Sequence, residues 1–99
     1  MTEVRMTILE AIARKQAIRA RYNGGEVILA PHLMYERHGD LFIGALNLGK
    51  TWRDDAERQL GQFKLRGLGD VALAGETFEP LPSFEAVPPR ADDTLVFAI

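Results

Sequence analysis

Two histidines, His32 and His38, lie in a stretch that also contains Tyr35 and Arg37. Imidazole nitrogens bind metals and organic ligands, so this stretch could line a pocket or hold a cation. A protein metal site also needs further ligands at a suitable spacing, and no well-placed carboxylate accompanies the two rings. We therefore predict no metal site, and the alternative to a ligand pocket is a polar turn on the surface.

Four basic side chains occupy alternate positions in two segments of period-two pattern: Arg19 and Arg21 in one, Lys64 and Arg66 in the other. Alternate residues of a strand share one face, and apolar residues take the opposite face here. If the two strands are neighbours, the four cations form a basic strip that can contact phosphates. The alternative is a solvated sheet face that the charges protect from aggregation.

Three aromatic residues have two interpretations each. Phe42 and Tyr22 could stack on a nucleobase, although their alternating strands favour a place in the core. Trp52, in a polar loop, either covers an edge of the core or anchors a partner. Taken together, the candidate ligand-binding residues are Arg19, Arg21, His32, Tyr35, Arg37, Phe42, Lys64 and Arg66.

Catalytic patterns are missing from the sequence. It contains no cysteine and no Gly-rich phosphate loop before a helix, and Ser83 and Thr94 belong to an irregular tail. The adjacent carboxylates at positions 54–55 and 92–93 are predicted to be solvated charges rather than an acid–base pair. We expect a protein that is not an enzyme and that uses no cofactor.

Length and composition indicate one globular domain. The chain has 99 residues, 46% hydrophobic and 26% charged, and a net charge of −2 that argues against indiscriminate binding to nucleic acid. The absence of cysteine fits a reducing compartment. No apolar run is long enough to span a membrane and none resembles a signal peptide, so we expect a cytoplasmic protein.

Apolar residues recur at helical spacing near the start of the chain and at period two thereafter. We predict an amphipathic helix from Thr2 or Glu3 to Lys15, with Val4 and Ile8 on its buried face. The predicted strands cover residues 17–22, 26–30, 33–36, 41–46, 62–66 and 70–73, with turns at 23–25, 37–40 and 74–76. Pro31 marks a bulge, an edge or a strand end.

This order of elements predicts a mainly β (α+β) fold, an N-terminal helix with a small bent antiparallel sheet or partly open barrel. We place the domain at residues 1–78 and a proline-rich C-terminal extension at 79–99. The extension ends in a possible strand that contains Leu95, Val96, Phe97 and Ile99. Such a strand joins its own sheet or crosses to a second copy, and we favour a homodimer.

The order of features from Ile8 to Phe78 resembles the WYL domain, a module found behind a helix-turn-helix in bacterial transcription regulators. The residues that carry the resemblance are Ala11-Ile12, Tyr22, Pro31 with Leu33, Leu41-Phe42-Ile43 at the position of the Trp-Tyr-Leu triplet with Ala45 after it, Phe63-x-Leu65-x-x-Leu68 and Phe78. The resemblance implies an SH3-like or Sm-like barrel that binds an effector, often a nucleotide or a nucleic acid.

The chain departs from this family at several ligand-contacting positions. The triplet lacks its Trp and Tyr, Gly67 replaces a usual arginine, and an apolar residue near Val27 replaces a basic one. We expect a stand-alone, divergent member without the helix-turn-helix. The predicted function is a regulatory ligand-sensing module; the alternative is a protein-interaction or self-association module that has lost effector binding.

Overall fold

The computed structural model describes residues 4–49 and 58–99. The predicted helix is confirmed as α1 (Val4–Arg14), which buries Ile8, Ala11 and Ile12. Its end follows from the backbone, since Lys15 has a positive φ of 53° that a continuing helix does not allow. The predicted start at Thr2 or Glu3 lies outside the described residues. Within the described ranges, no helix is long and apolar enough to cross a membrane.

The first predicted hairpin is confirmed. Strand β1 (Gln16–Tyr22) pairs antiparallel with β2 (Gly25–Arg37), and Tyr22 stands opposite Gly25. The turn residues Asn23 and Gly24 have φ of 52° and 79°. This geometry is that of the two-residue turn whose twist matches the flanking strands, and Asn-Gly is its preferred sequence.

Strand β2 continues through Pro31, and of the three alternatives predicted at this residue the bulge is confirmed. Pro31 has no N–H to donate, and the pairing with the next strand shifts register between Pro31 and Leu33. The bulge lets β2 serve three partners. Its first half pairs with β1, its second half pairs with the C-terminal strand, and its other edge pairs with β3 from Leu29 to Arg37.

The remaining strands are β3 (Asp40–Asn47), β4 (Gly61–Lys64), β5 (Gly69–Thr77) and β6 (Thr94–Ala98). Two predicted boundaries were wrong. The strand predicted for residues 62–66 ends at Lys64 and passes into a 3-10 turn at Leu65–Gly67. The turn predicted at 74–76 is part of β5, because this segment pairs with β1 as far as Gln16, opposite Thr77.

The described strands form one antiparallel sheet in the order β4-β3-β2-β1-β5, with β6 added to β2. The prediction of one helix and an antiparallel sheet is confirmed. The outer strands of the path, β4 and β5, do not pair with each other, so the hydrogen-bonded ladder does not close into a barrel. The segments predicted at 26–30 and 33–36 form one strand, β2, so five of the described strands precede the extension and the sixth, β6, lies within it.

The sheet is covered on both faces of β2. Leu29 belongs to the main core beneath α1, and the next residue, Ala30, belongs to a second cluster with Leu46 and Leu81. Successive side chains of a strand point to opposite faces, so a strand buried at consecutive residues needs a cover on each side. Helix α1 supplies one cover, and residues 78–84 of the C-terminal segment supply the other.

Candidate functional site

A guanidinium–carboxylate pair joins strand β2 to the residue just before β6. Arg37 Nε donates to Asp93 Oδ1 at 2.7 Å, and Arg37 Nη2 donates to Oδ2 at 2.9 Å. The Asp93 side chain is 0% exposed and that of Arg37 is 11% exposed. Two parallel hydrogen bonds between planar groups are the strongest geometry available to such a pair.

Two aromatic rings lie against the same guanidinium. Tyr35 and Phe42 face each other across β2 and β3, and their rings stack with centroids 5.6 Å apart and planes 8° apart. Arg37 Cζ lies 5.4 Å from the Tyr35 centroid and 5.1 Å from the Phe42 centroid. Aromatic faces attract cations at this range, so the rings orient Arg37 and help to stabilise its charge.

Gln62, on β4, completes this group. Its Oε1 accepts from Tyr35 Oη at 3.0 Å and from Arg37 Nη2 at 3.2 Å. We name Tyr35, Arg37, Phe42 and Gln62 the arginine box. Sequence reasoning identified three of its members but missed Gln62, because the pairing that brings β4 beside β3 is not encoded in local pattern.

Asp93 was predicted to be a solvated charge, and this prediction was wrong. The hydrogen bonds from Arg37 lower the pKa of the Asp93 carboxyl, and a further bond from the Arg90 backbone N–H to Oδ2 at 3.0 Å acts in the same direction. The hydrogen bonds to Asp93 in turn raise the pKa of the Arg37 guanidinium. The neighbouring Asp92 is exposed, as predicted, with Oδ2 at 3.8 Å from His38 Nε2.

His32 is neither on a surface turn nor in contact with the arginine box. It is fully buried in β2, with Nδ1 at 2.8 Å from the Ala30 carbonyl oxygen and Nε2 accepting from the Leu81 backbone N–H at 3.1 Å. Its ring stacks on Phe78 and meets Phe84 edge to face, both at 5.1 Å. Burial lowers the pKa of His32, so the ring stays neutral and holds the C-terminal segment.

The predicted strip of four cations does not form. Strands β1 and β4 are separated by β2 and β3 in the sheet, so they are not neighbours. Lys64 Nζ lies 3.2 Å from Asp40 Oδ2, and Arg66 Nε lies 3.7 Å from Asp40 Oδ1. A single hairpin carboxylate therefore compensates both cations, and Arg66 stands in the 3-10 turn rather than in a strand.

Arg19 and Arg21 are different. Both are exposed on the outer side of β1, where Ala72 and Gly69 of β5 stand opposite them. They line a shallow depression of about 280 Å³, with Glu26 and Asp70 at its rim. Neither arginine has an ion pair within the part of the chain that the structure describes. We name Arg19 and Arg21 the arginine pair.

The other aromatic residues take structural places. Tyr22 is half-buried and meets Phe63 edge to face at 5.2 Å, as the core interpretation predicted. Gly67 lies so close to this ring that a Cβ atom there would stand 3.2 Å from Tyr22 Cε1. Trp52, with the carboxylates at 54–55, lies outside the described residues.

Over residues 4–49 and 58–99, these elements define a small α+β domain whose six-stranded antiparallel sheet carries one α-helix. Among solved structures it is similar to proteasome accessory factor B/C (PafBC) of Arthrobacter aurescens, with a TM-score of 0.66 and 19% identity over 84% of this chain. The match spans only 13% of the PafBC chain. PafBC is a regulator that contains a WYL domain, so the likeness supports a WYL-like fold. No protein-family model and no curated protein sequence matches the chain.

Proposed function

We propose that this chain is a regulatory, WYL-like binding module of SH3-like or Sm-like ancestry, and that it binds a small anionic effector of nucleotide size. The fold likeness to a WYL-containing regulator supports a role in regulation. We assign it binding rather than catalysis, because its polar residues form hydrogen-bonded anchors and an open depression lined by the arginine pair and two carboxylates. Neither arrangement pairs a nucleophile with a base.

The arginine pair carries this proposal. Arg19 and Arg21 project from the same face of one strand, and the residues opposite them on β5 are small, Ala72 and Gly69. Small neighbours leave room above the sheet for a bound group. Among the described residues, no carboxylate lies within ion-pair distance of either guanidinium. Such groups favour a phosphate, which accepts planar, charge-assisted hydrogen bonds.

The rim of the depression selects among anions. Glu26 stands opposite Arg21 across β1 and β2, and Asp70 lies at the other side. These carboxylates repel a continuous phosphate backbone but accept hydrogen bonds from sugar hydroxyls. A nucleotide with one phosphate and a free sugar therefore fits the charges better than long nucleic acid does, in keeping with the net charge of −2.

Calorimetric titration with a nucleoside monophosphate and with a short single-stranded RNA tests this proposal. Arg19→Ala and Arg21→Ala should each weaken nucleotide binding by about 10- to 150-fold, because a hydrogen bond to a charged group contributes about 1.5–3 kcal/mol. Arg14→Ala is the matched control, since it removes the same charge from an exposed helix site paired with Glu10. Equal weakening in all three variants, or no binding by the unaltered chain, would refute the assignment.

A second candidate function, self-association, has an observation of its own. Within the described residues, β6 pairs with β2 on one edge only, and Leu95, Val96 and Phe97 are exposed. The last six residues carry no charged side chain, so nothing repels the same strand of a second copy across a two-fold axis. The structure places β6 in its own sheet, and this second candidate uses its outer edge.

A further inference from the structure

We propose that the arginine box is a carboxylate-binding site which the chain occupies with its own Asp93, so that a free small carboxylate competes with docking of β6. This site is distinct from the arginine pair, because its members lie on β2, β3 and β4. The proposal does not depend on the nucleotide assignment.

The receptor half of the site is built without Asp93. The guanidinium of Arg37 contacts the rings of Tyr35 and Phe42 at 5.4 Å and 5.1 Å, and its Nη2 also donates to Gln62 at 3.2 Å. These contacts come from three adjacent strands and orient the remaining N–H groups toward Asp93. A fork of donors held in this way is preorganised for one planar acceptor of two oxygens, which is a carboxylate.

The occupying half comes from an exposed, irregular segment, although the Asp93 side chain itself is buried. Asp93 follows residues 85–92, of which all but Pro88 are exposed and none is in a helix or strand. Apart from Arg37, its carboxylate is bonded to the Arg90 backbone N–H within the same short turn. Asp93 thus behaves as a tethered ligand, and its high local concentration accounts for its occupancy.

Occupancy of the site is coupled to the last strand. Thr94 begins β6 directly after Asp93, and the pairing of β6 with β2 runs from Glu36, one residue before Arg37, to Leu33. A carboxylate that takes the place of Asp93 removes the anchor at the start of a five-residue edge strand. The competing ligand therefore frees β6 and uncovers the edge of β2.

The first test is chemical rescue in the full chain. Asp93→Ala deletes the internal carboxylate, and acetate at pH 7 should raise its melting temperature by about 4 °C over chloride at equal ionic strength. Asp92→Ala, which removes an exposed neighbour, should show no such difference, and neither should Arg37→Ala combined with Asp93→Ala. Equal responses to acetate in all these variants would overturn the proposal.

The second test works even if Asp93→Ala does not fold. Asp93→Asn keeps the shape of the side chain but removes its charge, so it holds Arg37 less tightly. Acetate should then increase hydrogen exchange of the β6 amides severalfold, while amides of β1 remain unchanged. Exchange in β6 that does not depend on acetate in Asp93→Asn would show that no carboxylate competes for the arginine box.

Discussion

The imidazole of His32 bridges two parts of the chain that are 49 residues apart, since Nε2 accepts a hydrogen bond from the Leu81 backbone N–H at 3.1 Å. The other ring nitrogen faces the Ala30 carbonyl oxygen at 2.8 Å, so Nδ1 carries the proton. Both nitrogens are thus used by the backbone. Protonation of Nε2 would replace the acceptor by a second donor and break the bond to Leu81.

This arrangement predicts a loss of stability in mild acid. Burial lowers the pKa of His32, so the unfolded chain binds a proton at higher pH than the folded chain does. The contribution of neutral His32 to the free energy of unfolding is complete above the pKa of about 6.5 that the residue has in the unfolded chain, and it declines as the pH falls below that value. We expect a lower midpoint of urea denaturation at pH 5.5 than at pH 7.5.

His38 supplies the control for this prediction, because its side chain is exposed. His38→Gln should keep the pH dependence and His32→Gln should lose most of it. A direct NMR titration of the unaltered protein should give a pKa for His32 below the ordinary value of about 6.5. A pKa of His32 at or above that value would contradict its assignment as a buried, neutral ring.

The Arg37–Asp93 pair predicts a second, more acidic window. Asp93 has a lowered pKa, so its contribution is present above the unfolded value of about 3.9 and is lost as the pH falls through the folded value. Arg37→Gln should therefore lower the urea midpoint at pH 7, and the difference from the unaltered chain should shrink toward pH 2. Arg14→Gln, on an exposed helix pair, should cause little change at either pH. If the difference in urea midpoint between Arg37→Gln and the unaltered chain stays constant with pH, packing rather than charge explains the effect of the substitution.

Two glycines predict opposite responses to alanine. A Cβ atom on Gly44 would overlap Leu33 Cδ2, and Leu33 is buried in the sheet. We expect Gly44→Ala to reduce the free energy of unfolding by about 1–3 kcal/mol, as overpacking does.

Gly75, on β5, has open space where a Cβ atom would lie, and its φ is ordinary. Gly75→Ala should be neutral or stabilising by up to about 1 kcal/mol, because it restricts the unfolded chain. Urea denaturation of both variants measures this difference, and equal losses would contradict it.

Self-association through β6 is tested by a charge on its free edge. Val96→Lys should convert a dimer to a monomer in light scattering without lowering the melting temperature, because Val96 is already exposed. Val87→Lys places the same charge on another exposed valine, in the segment before β6, and should leave the mass unchanged. A full chain that is monomeric at high concentration would exclude this interface.

The amino-acid sequence by itself determined the local elements. Helical spacing of Ile8, Ala11 and Ile12 defined α1, and Asn23-Gly24 defined the first turn. These signals are local, since periodicity and positive φ act within a few residues. The sequence also indicated which side chains of β1 lie inside, because alternation alone separates Ile18 and Ala20 from Arg19.

Only the tertiary structure decided what the polar side chains do. The strand order separates Lys64 from Arg19, and Lys64 forms an ion pair with Asp40 instead. The C-terminal segment packs back onto the sheet and buries His32 and Asp93. Asp92 and Asp93 are neighbours in an irregular segment, so local sequence does not distinguish them. Asp93 differs because Arg37, 56 positions away, binds its carboxylate. Contacts over that distance depend on how the whole sheet pairs, which no local pattern encodes.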